Sequence, residues 1–400
     1  MNVPFEFVLF GLTLLGIALF HKRALAITLA GLAAILAYEA AFTSFPTGTG
    51  IDALLAHLSH EWVIVINLLL LLIGFELLAS QFERSNVPDH LPRLLPDGWT
   101  GGLALLAVVF VLSGFLDNIA AAVLGGVMAR HVYQGKVCVG FLAAIVASAN
   151  AGGAGSVIGD TTTTIMWLKG ISPLTVLPAY FAAIVAFAML APVAALMQHR
   201  YCPILADDRP DAGPLQWRRI AIVAFILAAA VVANILATSL SQGEEKAPWL
   251  GLALWAAILV TSPLAKPDWS GIKPAATGAF FLVALVLAAS LMPVKALPDP
   301  SWQSVFSLGL LSSVFDNIPL TVLALEQGGY DWALLAYAVG FGGSMVWFGS
   351  SAGVAITNDF PEARSVKAWL KEGWYIALAY TVGFAAMLFI FGWNPESITN

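Results

Sequence analysis

Charge is what this sequence lacks. Of 400 residues, 18 are Lys or Arg and 24 are Asp or Glu, so charged residues make up 10% of the chain, against about 25% in ordinary globular proteins. A soluble chain of this length would form roughly two or three domains. With so few charges it could not cover its surface. Cysteine is nearly absent too: Cys138 and Cys202 form no CxxC or zinc-type spacing, which excludes a disulfide scaffold. Six histidines include no HExxH, and a net charge of −6 without a basic run excludes a nucleic-acid partner. Apolar residues fill the chain instead, at 60% and a mean hydropathy of +0.86. The expected class is an all-α polytopic membrane protein, with the bilayer as its solvent.

A spanning helix needs about 20 mainly apolar residues. Candidates are Val3–Phe20, Ala24–Phe42, Trp62–Leu78, Leu174–Met197, Ile220–Leu240, Trp249–Leu264, Ala276–Val294 and Trp374–Trp393. The first has no basic region ahead of it and reads as a retained helix rather than a cleaved signal. Gly101–Leu168 and Trp302–Asn358 do not fit straight helices, because polar, Gly-rich segments interrupt them. Such backbone costs several kcal/mol facing lipid and survives only inside protein or along a wet cavity.

The two interrupted regions repeat each other. Ser113-Gly-Phe-Leu-Asp117-Asn118-Ile119 matches Ser312-Ser-Val-Phe-Asp316-Asn317-Ile318, and Gly152-Gly153 with Gly159 matches Gly342-Gly343 with Gly349. Three spans precede each region and one follows it, so each half has five. Five is odd, and the halves are therefore expected to have inverted topology, with the site between them near mid-membrane. Residues 1–197 form the first repeat: scaffold helices in 3–80, a re-entrant hairpin at 101–133, a broken transmembrane helix at 137–168 and a span at 174–197. Residues 198–219 are a cytoplasmic linker. Residues 220–400 form the second repeat: scaffold helices in 220–294, a hairpin at 302–328, a broken helix at 331–358 and a span at 374–393. Placing the Asp-Asn pairs at the hairpin tips leaves only Lys169, Lys246 and Lys295 of the 18 basic residues on the outer side. The alternative drawing, with Asp-Asn in a broken helix, also moves Arg130 and Lys136 outward and fits the charge asymmetry less well. Either drawing puts both termini on the extracytoplasmic side of an inner membrane.

Five acids lie in apolar stretches: Glu39, Glu76, Asp117, Asp160 and Asp316. A membrane-buried carboxylate is expensive and reads as functional by default. Glu39, beside Tyr38 at a span end, can simply reach the interface. Glu76 is deeper, either structurally paired or a secondary acid of the site. Asp117 and Asp316 can cap the second hairpin helices, but two at matched positions in opposed halves are better explained by convergence on one cavity. The first break, Ala149-Asn150-Ala-Gly-Gly-Ala-Gly-Ser-Val-Ile-Gly-Asp160-Thr161-Thr162-Thr163-Thr164, offers hydroxyls, unwound carbonyls and a carboxylate. These are hard ligands suited to Na+ or Li+. At least two of the four threonines are expected to bond back to helix carbonyls instead. The second break has Ser350 where the first has Asp160, with Ser344 earlier in it. Three carboxylates in one confined space cannot all stay ionised without compensation. Such a cluster takes up either protons or a small cation, and that competition is a chemical basis for exchange.

The segments 149–167, Ser312-Ser-Val-Phe-Asp316-Asn317-Ile-Pro319-Leu320 and Gly342-Gly-Ser344-Met-Val-Trp-Phe-Gly-Ser350-Ser-Ala-Gly353-Val resemble, in this order, signatures of the NhaD-type sodium/proton antiporters. That family belongs to the ion transporter superfamily, with arsenite permeases and di- and tricarboxylate carriers. The resemblance implies inverted repeats, an elevator-like transport domain, a homodimer in membrane lipid, and sodium or lithium efflux coupled to proton entry without a cofactor. It makes Asp117, Asp160 and Asp316 the cation and proton carriers, with Asn118, Asn150 and Asn317 as neutral ligands or hairpin organisers. The chain departs from the pattern at Ile119-Ala120-Ala121, where threonines are expected, and at Val157, where proline is usual.

Two other functions compete. A sodium- or proton-coupled citrate-type carrier, or an arsenite permease, could use the same scaffold. Yet Asp-Asn-Ile tips would repel an anion, and no intramembrane Arg or Lys offers it a partner. An intramembrane aspartyl protease would want Gly-x-Gly-Asp, whereas the chain reads Val157-Ile-Gly159-Asp160.

Overall fold

A computed structural model describes residues 4–20, 23–42, 44–45, 48–90, 95–204, 213–240 and 247–396. Nearly all of the described chain is helical. The exception in regular structure is a two-residue antiparallel pairing of Ser44–Phe45 with Gly48–Thr49. The chain is a polytopic membrane protein: five helices are long and apolar enough to cross a bilayer, and several shorter apolar ones accompany them.

The N-terminal helices are α1 (Phe5–Leu19), α2 (Ala24–Phe42) and α3 (Ile51–Glu83), followed by the short turn α4 (Val87–His90). Helix α3 is far longer than the expected span, because its N-terminal polar turns around Asp52, His57 and His60 continue the helix ahead of the apolar window Val65–Phe82. Then come α5 (Trp99–Ser113), α6 (Asn118–Val132), α7 (Val139–Gly153), α8 (Thr161–Leu168), α9 (Pro173–Val176) and α10 (Ala179–Tyr201). The second half holds α11 (Trp217–Leu240), α12 (Trp249–Thr261), α13 (Ile272–Ser290), α14 (Trp302–Ser312), α15 (Asn317–Gln327), α16 (Trp332–Gly342), α17 (Ser351–Asp359), α18 (Val366–Glu372) and α19 (Trp374–Phe391). The linker is shorter than its expected bounds. Helix α10 runs on to Tyr201, and buried Gln198 accepts the Cys138 N–H and donates to the Lys136 carbonyl, tying the helix end to the start of α7.

Helices α5 and α6 fold back on each other. A Cβ on Gly125 of α6 would stand 2.5 Å from Val109 of α5, so the two helices lie closely side by side after the turn at 114–117. At 15 residues each, both are about 22 Å long, short of a full crossing. Helices α14 and α15 close the same way: the Gln327 amide at the end of α15 donates to the Pro298 carbonyl just before α14.

Helix α3 packs against α11, α12 and α13, and α10 packs against α5, α7 and α19. The α10–α19 seam is made of small residues. Ala179, Ala182, Ala183 and Ala186 are buried on α10, and Gly383 of α19 lies against the Ala182 carbonyl, a close approach that a side chain would prevent. Helix α7 is buried from Gly140 through Gly153, and α16 along its whole length. A helix apolar on all sides belongs in the interior, and these two lead into the breaks.

Candidate functional site: a crossing of two broken helices

Each broken helix stops at a glycine pair that lies on backbone. Gly152 meets the Phe110 carbonyl and Gly342 the Gly309 carbonyl. Gly153 and Gly343 meet the carbonyls of Gly159 and Gly349. The motifs that repeat in sequence are therefore built alike in space. After each break a side-chain cap restarts the helix: Asp160 accepts from the Thr162 N–H for α8, and Ser350 from the Gly353 N–H for α17. The pairing then exchanges halves, since α8 packs against α15 and α17 against α6.

Two junctions form at the crossing. In one, buried Asn150 accepts from the Asn118 amide at 3.1 Å and donates to the hydroxyls of Ser344 at 2.9 Å and Ser350 at 3.2 Å. Both ends of its amide are engaged, and every member is neutral. In the other, Asp160 is 1% exposed. Its Oδ1 accepts from the Thr162 N–H at 3.0 Å and the Asn317 amide at 3.4 Å. Its Oδ2 has no hydrogen-bond partner. That oxygen faces Gly340, where a Cβ would stand 2.8 Å away. An ionised carboxylate so deeply buried with a bare oxygen calls for a proton or a cation.

The other two aspartates flank this centre rather than joining it. Both occupy helix N-cap positions, Asp117 before α6 and Asp316 before α15, where the Asp316 carboxylate also accepts the Asn317 N–H. Each lies within electrostatic range of Asp160. They line separate cavities, however. Asp117 opens onto one of about 810 Å³ with Glu76, Thr161 and Thr164. Asp316 opens onto one of about 700 Å³ with Ser350, Ser351 and apolar residues of α1 and α13. Among the described residues no three His, Cys, Asp or Glu side chains converge on one point. The expected single cavity of three acids is thus replaced by one buried carboxylate between two cavity-facing ones.

The other expected site residues divide. Thr163 donates to the Ser156 and Asp160 carbonyls and Thr164 to those of Val157 and Asp160, as expected of helix threonines. Thr161 faces the Asp117 cavity. Glu76 lines that cavity as well and is partly exposed. Glu39 is 1% exposed, so protein covers it instead of leaving it to reach out freely; α2 packs against α1 and α13. Gly340 was not anticipated. Its signal was the offset of the two breaks, which sets Gly340 opposite Asn150, just as Ser350 stands opposite Asp160.

An all-helical membrane protein with paired broken helices around one buried carboxylate has the build of a secondary transporter. The family described as citrate transporters (CitMHS) matches residues 8–342. The chain belongs to this family, and so is a transporter and not an enzyme. Among its relatives is "Na(+)/H(+) antiporter NhaD" of Vibrio cholerae, 24% identical over 86% of this chain and 81% of its own length. The protein of the same name from Alkalimonas amylolytica is 26% identical over 70% of this chain and 67% of its own. "Sodium/proton antiporter 1" of Arabidopsis thaliana is 26% identical over 79% of this chain, which spans 58% of that protein's length. These relatives bear out the resemblance to NhaD-type members of the ion transporter superfamily.

Proposed function

We propose that the protein exchanges Na+ or Li+ for H+ across an inner membrane by alternating access. The observation that carries this reading is the bare Asp160 Oδ2 at the crossing. A proton satisfies that oxygen as a hydroxyl. Sodium satisfies it as a hard-ligand contact, aided by neutral oxygens nearby. Both cannot occupy it together, so loading one expels the other. Asp117 and Asp316, in separate cavities, are relay acids that pass ions or protons to and from Asp160, with Glu76 as a further acid beside Asp117. Asn118, Asn150, Asn317, Ser344 and Ser350 hold the crossing in register, while Thr161, in the Asp117 cavity, and Thr162, whose buried hydroxyl has no hydrogen-bond partner, are further ligands for the ion. The names of the relatives support this direction of coupling.

The same reading includes two inverted repeats with re-entrant hairpins, an elevator-like movement of the crossing against α3 and α13, a homodimer, and both termini outside the cytoplasm. The family description favours a second reading, a citrate-type carrier. Against it, the polar groups at the crossing are aspartates, asparagines and hydroxyls, with no basic side chain to meet a tricarboxylate. Proteoliposomes with an internal pH dye decide between the two. Antiport predicts a pH change on adding sodium or lithium chloride. Silence toward both ions, with uptake of labelled citrate, would establish the carrier instead.

A further inference from the structure

The cavities beside the two matched aspartates are built for different cations. The Asp117 cavity holds a second acid, Glu76, and the hydroxyls of Thr161 and Thr164. These are hard oxygen ligands, of which an alkali ion that sheds its water needs several. The Asp316 cavity, of about 700 Å³, has one acid and two hydroxyls, and every other described lining residue is apolar. Of the two hydroxyls, Ser350 already accepts from the Asn150 amide at 3.2 Å and from the Gly353 N–H at 3.3 Å, which uses both lone pairs of its oxygen. It has a proton to donate and nothing to offer a metal ion. The Asp316 carboxylate accepts the Asn317 N–H, and no Lys, Arg or His among the described residues lines the cavity to balance it. Phe281, Phe315 and Phe348 form part of the wall, and aromatic faces attract cations, quaternary ammonium groups among them. An apolar space of this size with a few convergent polar groups is that of a small-molecule site.

We infer that the Asp316 cavity binds an organic cation, an ammonium or guanidinium head on a compact apolar body, and that its occupancy blocks ion exchange. The charge of such a head is spread over many atoms. It is met by one carboxylate and aromatic faces, without the oxygen shell that sodium demands. The body covers Leu14 and Ile17 of α1 and Leu285 of α13, and the apolar surface it removes from water adds to binding. The walls come from two sides. Helix α1, the start of α2 and α13 form one; the hairpin tip before α15 and the restart of α17 form the other. A ligand seated between them ties the crossing to its neighbours and covers Asp316. The block, unlike the binding, rests on the antiport reading, in which Asp316 is a relay acid. The Asp117 cavity offers such a ligand less, since Phe75 is its one aromatic residue among those described.

The probe is benzyltrimethylammonium, which carries no exchangeable proton and so cannot itself collapse a pH gradient. It is given on both sides of proteoliposomes that hold the purified full-length protein and a pH dye, at fixed sodium. It should inhibit the sodium-driven response about tenfold or more as potently as tetramethylammonium, the same head without the ring, because burying a phenyl-sized body contributes at least that factor. Benzyl alcohol, the ring without the charge, should have no effect at the same concentration. Phe281→Ala should remove most of the advantage of the benzyl compound, and Phe75→Ala, in the other cavity, should preserve it. The ratio of the two cations is independent of how much protein is active. Equal potency of the two cations, or an advantage that survives Phe281→Ala, would overturn the inference. So would inhibition by benzyl alcohol, the outcome expected of a space that lipid chains fill. A wild type silent toward sodium would refute the antiport reading, and the block with it. Binding is then read directly, as it is if Phe281→Ala does not fold, by equilibrium dialysis of radioactive benzyltrimethylammonium against wild type and Asp316→Asn. A saturable site that Asp316→Asn loses supports the inference; no binding, or binding that Asp316→Asn retains, overturns it.

Discussion

Replacing Asp160 by Asn separates the chemistry of the crossing from its architecture. Asn is as good an N-cap as Asp, so the amide oxygen keeps the bonds from Thr162 N–H and Asn317 that Oδ1 now receives. The new NH2 group takes the place of the bare Oδ2. It faces Gly340, at a cost of up to about 1–3 kcal/mol if the donor stays unmet, less if the unpartnered Thr162 hydroxyl accepts from it. Removing a buried carboxylate offsets that cost, since an uncompensated charge there is more expensive still. The two effects nearly cancel, and the melting temperature in detergent should move by only a few degrees, about what 1 kcal/mol produces. Transport should vanish, because an amide neither takes up a proton at working pH nor balances a sodium charge. The assay is the sodium-triggered dye response of proteoliposomes, read beside protein-free vesicles and a thermal melt of the same sample. A folded Asp160→Asn protein that retains more than about a tenth of the wild-type rate, a loss below the usual size of a catalytic-group deletion, would refute a mechanism centred on this carboxylate.

Three further outcomes are expected. Asn150→Ala removes three side-chain hydrogen bonds at the neutral junction; at about 0.6 kcal/mol each within membrane proteins, reversible unfolding in mixed micelles should show a loss near 2 kcal/mol, and a change below the measurement error would mean the junction is not formed. Glu39→Gln, at the far end of α2 from Ala24, which lines the Asp316 cavity, should leave most of the ion-driven response intact, so an abolished response would make that residue part of the ion path. Asp268 lies between α12 and α13, and its carboxyl is held below the usual range first by the hydroxyl and N–H of Ser270 and then by Arg84. A lowered folded-state value contributes stability above the ordinary carboxylate range of about 4 and loses it on further acidification. Melting curves between pH 6 and 3 should therefore fall less steeply for Asp268→Asn than for the wild type, and parallel curves would exclude the contribution.

Much of the architecture was legible along the chain. The scarcity of charge fixed the solvent, the apolar stretches fixed most helices, and the Asp-Asn and Gly-Gly motifs fixed where helices stop. Helix ends were less legible. The polar start of α3 looks like loop by composition, and α10 runs on to Tyr201, into the start of a linker that reads as polar, because a buried Gln198 with two backbone partners costs nothing that composition reveals. The burial of Glu39 was also hidden, since hydropathy does not say which face of α2 its neighbours cover.

The sequence alone determined that this is a membrane transporter scaffold with two matched interruptions carrying aspartates, because hydrophobicity and helix-breaking glycines act locally and leave their mark within a few turns. Only the tertiary structure decided which of those side chains meet. Asn150 bonds Ser350 across 200 positions and Asn317 reaches Asp160 across 157, while Asp117 and Asp316 are turned into separate cavities. Contacts between distant segments depend on how whole helices cross, and a crossing leaves no period in the chain from which it could be read.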